Sequence, residues 1–184
     1  MNTNKARKLK TLDMVYIAMF AVLIAICSWI YIPTTVPFTL QTFAIFCTVG
    51  LLGGKRGTLA VLVYILLGAA GIPVFASFEG GIGTLLGSTG GYILGFLLSA
   101  LIYWLMTMLF GNKMIITVIA MLLGLLVCYT VGTVWFMAVY AQSSGAVGLM
   151  TVLGWCVIPF ILPDLAKIAV ATILVKRLAP HVKY

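Results

Sequence analysis

The chain has 184 residues, of which 64% are hydrophobic and 8% charged, with a formal net charge of +8. Soluble domains carry about 25% charged residues, so this balance excludes an ordinary soluble fold and identifies an integral membrane protein. The positive charge does not argue for nucleic acid, because it borders apolar segments instead of gathering into a patch.

A spanning helix needs about 20 mostly apolar residues. Six apolar segments, separated by Gly, Pro or Lys/Arg punctuation, predict helices over 12–32, 38–53, 57–72, 90–110, 114–141 and 155–178. The expected architecture is an all-α membrane protein, one compact bundle of six transmembrane helices over residues 1–184, with a basic N-terminal segment at 1–11. The first helix is too long for a removable signal peptide and reaches Pro33 without a small-residue cleavage pattern. Along it, Ala18, Ala21, Ala25 and Ser28 leave one smooth face, whose spacing alone favours packing inside the bundle over docking of another subunit.

The basic residues fall between the helices in one alternating set. Lys5, Arg7, Lys8 and Lys10 precede helix 1, Lys55 and Arg56 join helices 2 and 3, Lys113 joins 4 and 5, and Lys176, Arg177 and Lys183 close the chain. The positive-inside rule then places both termini in the cytoplasm. The same residues suit anionic membrane lipid.

The opposite loops, 33–42, 71–91 and 142–154, contain no Lys or Arg, and Glu79 is the only charge expected outside. The 71–91 stretch holds Gly71, Gly80, Gly81, Gly83, Gly87, Gly90 and Gly91, too many for a helix interior. It reads either as a re-entrant lid over a cavity or as a close-packed turn that needs positive φ.

Inside the last apolar run, Asp164 and Lys167 lie three residues apart, on one face of a helix. Each charge alone costs about 2.5–3.5 kcal/mol at a helix centre, so the pair marks the expected functional site. Trp155 to Asp164 spans about 13 Å of helix rise, near the middle of the apolar layer. Pro159 and Pro163 are expected to bend this helix. Cys27, Cys47, Cys128 and Cys156 are scattered without paired spacing and read as buried hydrophobes, so no metal site is expected. The only histidine, His181, falls in the tail, which removes His-dependent intramembrane catalysis. No Gly-x-x-x-x-Gly-Lys-[Ser/Thr] loop is present, so the chain does not hydrolyse ATP and is not expected to be an enzyme.

Four segments, in order, carry a resemblance: Val36-Pro37-Phe38-Thr39-Leu40-Gln41-Thr42, Gly68-Ala69-Ala70-Gly71-Ile72-Pro73-Val74-Phe75, Gly87-Ser88-Thr89-Gly90-Gly91-Tyr92 and Ile158-Pro159-Phe160-Ile161-Leu162-Pro163-Asp164-Leu165-Ala166-Lys167. Together they resemble the BioY family, the biotin-binding S components of energy-coupling factor (ECF) transporters. The resemblance implies a receptor in the bacterial cell membrane that captures biotin from outside and works with a transmembrane coupling subunit and two cytoplasmic ATPase subunits. It implies no cofactor. It also raises the docking reading of helix 1, where Ala21 and Ala25 match an Ala-x-x-x-Ala face and Ala18 extends the stripe. Ser88 departs from the family's usual proline, Leu162-Pro163-Asp164 from the commoner Pro-Gly-Asp, and Ser77-Phe78-Glu79 interrupts a glycine-rich run, leaving Glu79 without a role.

Biotin joins a ureido ring, an apolar thioether ring and a carboxylate tail, and so needs hydrogen-bonding and hydrocarbon contact together. Asp164 is expected to accept from ureido N–H groups, while Lys167 donates to the ureido oxygen and keeps Asp164 charged. Gln41, Thr42 and Tyr92 are further candidates, and Gly90 and Gly91 offer backbone N–H groups to the tail carboxylate at the start of helix 4. Phe75, Phe78, Trp29 and Tyr31 fit an interfacial belt better than the site. The alternatives are an S component for another small vitamin, a structural or channel-like membrane protein in which the pair only joins helices, and an intramembrane Ser/Lys hydrolase.

Overall fold

The computed structural model describes residues 10–145 and 147–182. Lys5, Arg7, Lys8 and Lys183, and all but the end of the basic segment 1–11, lie outside the described residues. Helix α1 runs Thr11–Trp29, and its first turn is closed by the Lys10 N–H donating to Asp13 Oδ2 at 2.9 Å. The expected continuation to residue 32 does not occur. Residues before proline avoid the α region, and the chain between Pro33 and Pro37 turns back instead as a small antiparallel pair, β1 (Tyr31–Ile32) against β2 (Phe38–Thr39), with Tyr31 opposite Thr39.

Helix α2, Gln41–Ala69, is nominally one element, but its φ/ψ at Gly53, 74° and 166°, leave the helical region. A straight helix would hold Gln41 and Tyr64 about 35 Å apart. Instead, Gln41 Nε2 donates to the Tyr64 hydroxyl at 2.9 Å, so α2 is a hairpin with arms 41–52 and 54–69. These arms are the second and third helices expected from the sequence, displaced by a few residues. The first arm rises only about 18 Å, short of the ~30 Å apolar layer. At the turn, Arg56 Nε lies 2.8 Å from Asp13 Oδ1, tying the hairpin to the start of α1 through a buried carboxylate.

The glycine-rich stretch carries a single 3₁₀ turn at Ala76–Phe78 and a short helix α3, Ile82–Leu86. It leads into α4 (Gly90–Phe110), and α5 (Met114–Ser144) returns alongside. These two helices pack closely: a Cβ at Gly95 would come within 3.0 Å of the Cys128 Cα, and one at Gly132 would enter the Tyr92 ring. In lipid, such small residues let two backbones approach.

The last expected helix, 155–178, is two: α6 (Leu149–Cys156) and α7 (Ile158–Leu178), broken at Val157, where φ/ψ are −128° and −57°. Pro159 has no N–H for the Trp155 carbonyl, and its ring crowds that turn. By length and composition five helical stretches suffice to cross a membrane, counting the α2 hairpin once and α6 with α7 once. Their outward faces are apolar, with Val15, Val22, Leu126, Val134 and Leu162 all exposed.

Burial divides the small-residue stripe of α1. Ala21 and Ala25 are 1% and 4% exposed, on the inward face shared with Ile17, Ile24 and Ser28. They pack against the chain's own bundle, the reading that spacing alone favours, whereas Ala18 is exposed.

The hairpin turn supplies a stability test. Gly53 occupies a region of φ/ψ essentially reserved for glycine, so Gly53→Ala should cost about 1–3 kcal/mol. A clear drop in the thermal unfolding midpoint in detergent is expected; an unchanged midpoint would contradict the hairpin.

Candidate functional site

The inward face of α7 carries Asp164 and Lys167, 2% and 8% exposed. The helical rise puts both in register with the top of the first α2 arm, and the β1–β2 hairpin lies across them. Lys167 Nζ donates to Asp164 Oδ1 at 2.7 Å, to the Thr39 carbonyl at 2.7 Å and to Thr42 Oγ1 at 3.1 Å. An ammonium has three protons, and all three are engaged. Its positive charge also sits 4.1 Å from the centroid of the Phe38 ring, a favourable cation–π placement.

Asp164 is held from the other side. Thr42 Oγ1 donates to Oδ1 at 2.9 Å, and the Tyr129 hydroxyl of α5 donates to Oδ2 at 2.6 Å. Thr42 thus accepts from the ammonium and donates to the carboxylate, closing a triangle. Four elements (β2, the first α2 arm, α5 and α7) converge on one ion pair. A carboxylate offers about four lone-pair sites, so Oδ2 keeps one open beyond the Tyr129 bond.

Beside the pair lies a cavity of about 640 Å³. Asp164, Lys167, Thr42 and Tyr129 form its polar end; Tyr92, Phe96 and Phe160 line its wall; residues of the 76–89 stretch cover it. That stretch therefore borders the cavity, and it contains a positive-φ glycine, Gly81, as well. Phe75, expected in the belt, is buried and lines the cavity, while Phe78 is exposed and stacks on Trp29 at 5.1 Å.

Of the expected site residues, Asp164, Lys167, Gln41, Thr42 and Tyr92 all line this cavity. Gln41 spends one of its two amide N–H groups on Tyr64, which leaves the other and the amide oxygen, and the Tyr92 hydroxyl lies 3.4 Å from Thr133 Oγ1. Gly90 and Gly91 are not among the lining residues; Gly87, Ser88 and Thr89 take that place. The Gly90 N–H already donates to the Gly87 carbonyl at 3.1 Å, and a Cβ at Gly90 or Gly91 would strike the Leu85 carbonyl or Trp135. Their smallness serves packing. Lys167 pairs with Asp164 as expected, and all three of its protons are engaged within the protein.

Tyr129 and Thr39 were not expected. Thr39 acts through its backbone carbonyl, which no side-chain pattern reveals. For Tyr129 a signal existed: a tyrosine midway along α5 lies far from either interface, where belt tyrosines sit.

The BioY family profile matches residues 1–184. The probable biotin transporter BioY of Pyrococcus horikoshii is 38% identical over 171 residues, covering 92% of this chain and 98% of that protein. The biotin transporter BioY of Thermotoga maritima is 53% identical over 89 residues, 48% of this chain and 53% of that one. Among solved structures, the S-component for biotin from an ECF-type ABC transporter superposes with a TM-score of 0.79 at 29% identity, covering 97% of this chain and 94% of that chain.

Removing the Tyr129 hydroxyl deprives a buried carboxylate of a short, charge-assisted bond. Tyr129→Phe should lower stability by about 1–3 kcal/mol, read as a reduced unfolding midpoint; wild-type stability would show that Oδ2 finds another donor.

Proposed function

The chain belongs to the BioY family, and we propose on that premise that it takes up biotin across the plasma membrane as the S component of an ECF-type transporter. The observation that carries the reading is an Asp164–Lys167 pair, with one carboxylate lone pair open, forming the polar end of a cavity walled by Tyr92, Phe96 and Phe160. Such a cavity suits a ligand with a small, strongly hydrogen-bonding head and a hydrocarbon body.

In the proposed complex a ureido N–H donates to the open lone pair of Asp164 Oδ2. The ureido oxygen accepts from Lys167 by displacing Thr42 Oγ1, the longest of the three ammonium contacts at 3.1 Å. Phe160 and Phe96 face the thioether ring and the start of the tail. Gln41 and Tyr92 complete the lateral wall. The carboxylate tail extends from the ion pair toward the 76–89 cover.

Counting the two α2 arms separately and α6 with α7 together, the chain makes six passes through the membrane in this reading. Lys10, Lys55, Arg56, Lys113, Lys176 and Arg177 then border one side, which the positive-inside rule assigns to the cytoplasm with both termini. These cations face anionic lipid headgroups. A transmembrane coupling subunit and two ATPase subunits supply the energy, for which this chain has no phosphate loop. Contact with the coupling subunit falls on the exposed side of α1, around Ala18, and not on Ala21 and Ala25. A Ser/Lys hydrolase finds no support: Lys167 donates to Thr39, Thr42 and Asp164, and among the described residues to no serine.

Calorimetric titration of the ligand-stripped protein in detergent tests the assignment. Biotin should bind, riboflavin and thiamine should not, and desthiobiotin reports the contribution of the thioether ring. Asp164→Asn and Lys167→Met each remove a buried charged partner, so affinity should fall at least 100-fold, about 2.7 kcal/mol or more. Changes of tenfold or less in both variants, with folded protein verified by size exclusion, would remove the pair from the site. For topology, Lys113→Cys should react with a membrane-impermeant maleimide only in opened cells, and Glu79→Cys in intact ones.

A further inference from the structure

The charges that line the cavity do not balance. Asp164 and Lys167 close on each other at 2.7 Å and cancel. The third charged lining residue is Glu79, and no other cation lines the cavity among the described residues. A bound carboxylate at the mouth would therefore meet hydroxyl groups and a like charge, with no cation to answer it.

Glu79 is exposed, at the rim, on a turn whose shape is fixed. Its N–H donates to the Ala76 carbonyl at 3.2 Å, and its carbonyl accepts from the Phe75 N–H at 3.0 Å. Ser77 and Phe78 both have positive φ, 60° and 58°, an arrangement that persists only where surrounding contacts over-determine it. Those contacts are present: Phe78 stacks on Trp29, and Trp29 Nε1 donates to the Pro73 carbonyl at 3.0 Å. The turn thus presents Glu79 at the cavity mouth.

With the ureido head at Asp164 and Lys167, the tail of biotin points to this rim. We propose that Glu79 is a specificity-determining residue that disfavours a carboxylate tail and favours biotin derivatives whose tail is an amide, most of all an amide ending in an ammonium. The ligand class is amide-linked biotin, such as biotin joined to a lysine side chain or to a diamine. This inference rests on the head-group assignment in the proposed function. Charge at a rim acts through like-charge repulsion and complementary attraction, and it is weakened by salt.

The test uses a series of tails with charge −1, 0 and +1: biotin, biotinamide, and the amide of biotin with 1,5-diaminopentane. Each competes against radiolabelled biotin on the full chain in detergent, at low and at 1 M salt. The wild type should bind biotinamide at least as tightly as biotin, and the diamine conjugate more tightly still. Glu79→Gln should strengthen biotin about 3–10-fold, leave biotinamide unchanged and weaken the diamine conjugate, while Glu79→Asp keeps the wild-type order. High salt should compress the wild-type differences. If biotin binds more than tenfold better than biotinamide, or if Glu79→Gln shifts all three ligands equally or none, Glu79 has no such role although the biotin reading stands. If none of the three binds, the head-group assignment fails and this inference with it.

Discussion

The ion pair between Asp164 and Lys167 constrains everything around it. Two charges deep in an apolar layer are tolerated only when their desolvation is offset by close pairing and by partners for the remaining protons and lone pairs. Here the partners come from β2, the first α2 arm and α5. Each of those elements must therefore reach α7 at one depth, and several irregularities of the fold follow. The first α2 arm is short and starts beside the pair. The β1–β2 turn lets the Thr39 carbonyl face inward, where a continuous helix would have engaged it internally.

The opposite end of the bundle shows the same logic at a second buried charge. Asp13 caps α1 and meets Arg56 at the hairpin turn, so the charged end of the short α2 hairpin is anchored to α1. With Gly53 setting the turn and Asp13 fixing its position, the two arms are held antiparallel over their length. Gln41 and Tyr64 close the far end of that hairpin with a buried side-chain bond. The position of Thr42, one residue beyond Gln41, is thus set by contacts at both ends of α2.

Much of this was legible in the chain. Apolar periodicity and Lys/Arg punctuation located every long helix, because in lipid only a hydrogen-bonded helix or a closed barrel satisfies the backbone. Asp164, Lys167, Thr42, Gln41 and Tyr92 stood out as polar residues in apolar company. The departures have separate causes. The ends of α1 and the split between α6 and α7 depend on prolines whose local effect outweighs hydrophobicity. The burial of Ala21 and Ala25 is a matter of which way a smooth face turns, and small-residue spacing is the same for inside and outside. Gly90 and Gly91 look like an anion cradle in sequence, yet close approach to Leu85 and Trp135 explains them. Thr39 acts through its backbone, which leaves no trace in residue identity.

A pair this well satisfied changes the account of why charges sit in the membrane. The sequence suggests charges retained because a guest needs them, but the protein alone already meets the ammonium's three protons and three of the carboxylate's lone pairs. Binding is then an exchange. Thr42 Oγ1 accepts from Lys167, and Asp164 Oδ2 keeps one lone pair open, so in the proposed complex a ligand that supplies one acceptor and one donor side by side takes over the Thr42 contact on Lys167 and fills the open site on Asp164. A cyclic urea has that arrangement, a carbonyl flanked by N–H groups. A ligand offering only an acceptor would leave the open Oδ2 site unfilled, and one offering only a donor would leave Lys167 on Thr42, so each makes one charge-assisted bond where a cyclic urea makes two. In the proposed complex, selectivity for the head group follows from an exchangeable threonine contact on Lys167 beside an open lone pair on Asp164, and the aromatic walls add affinity.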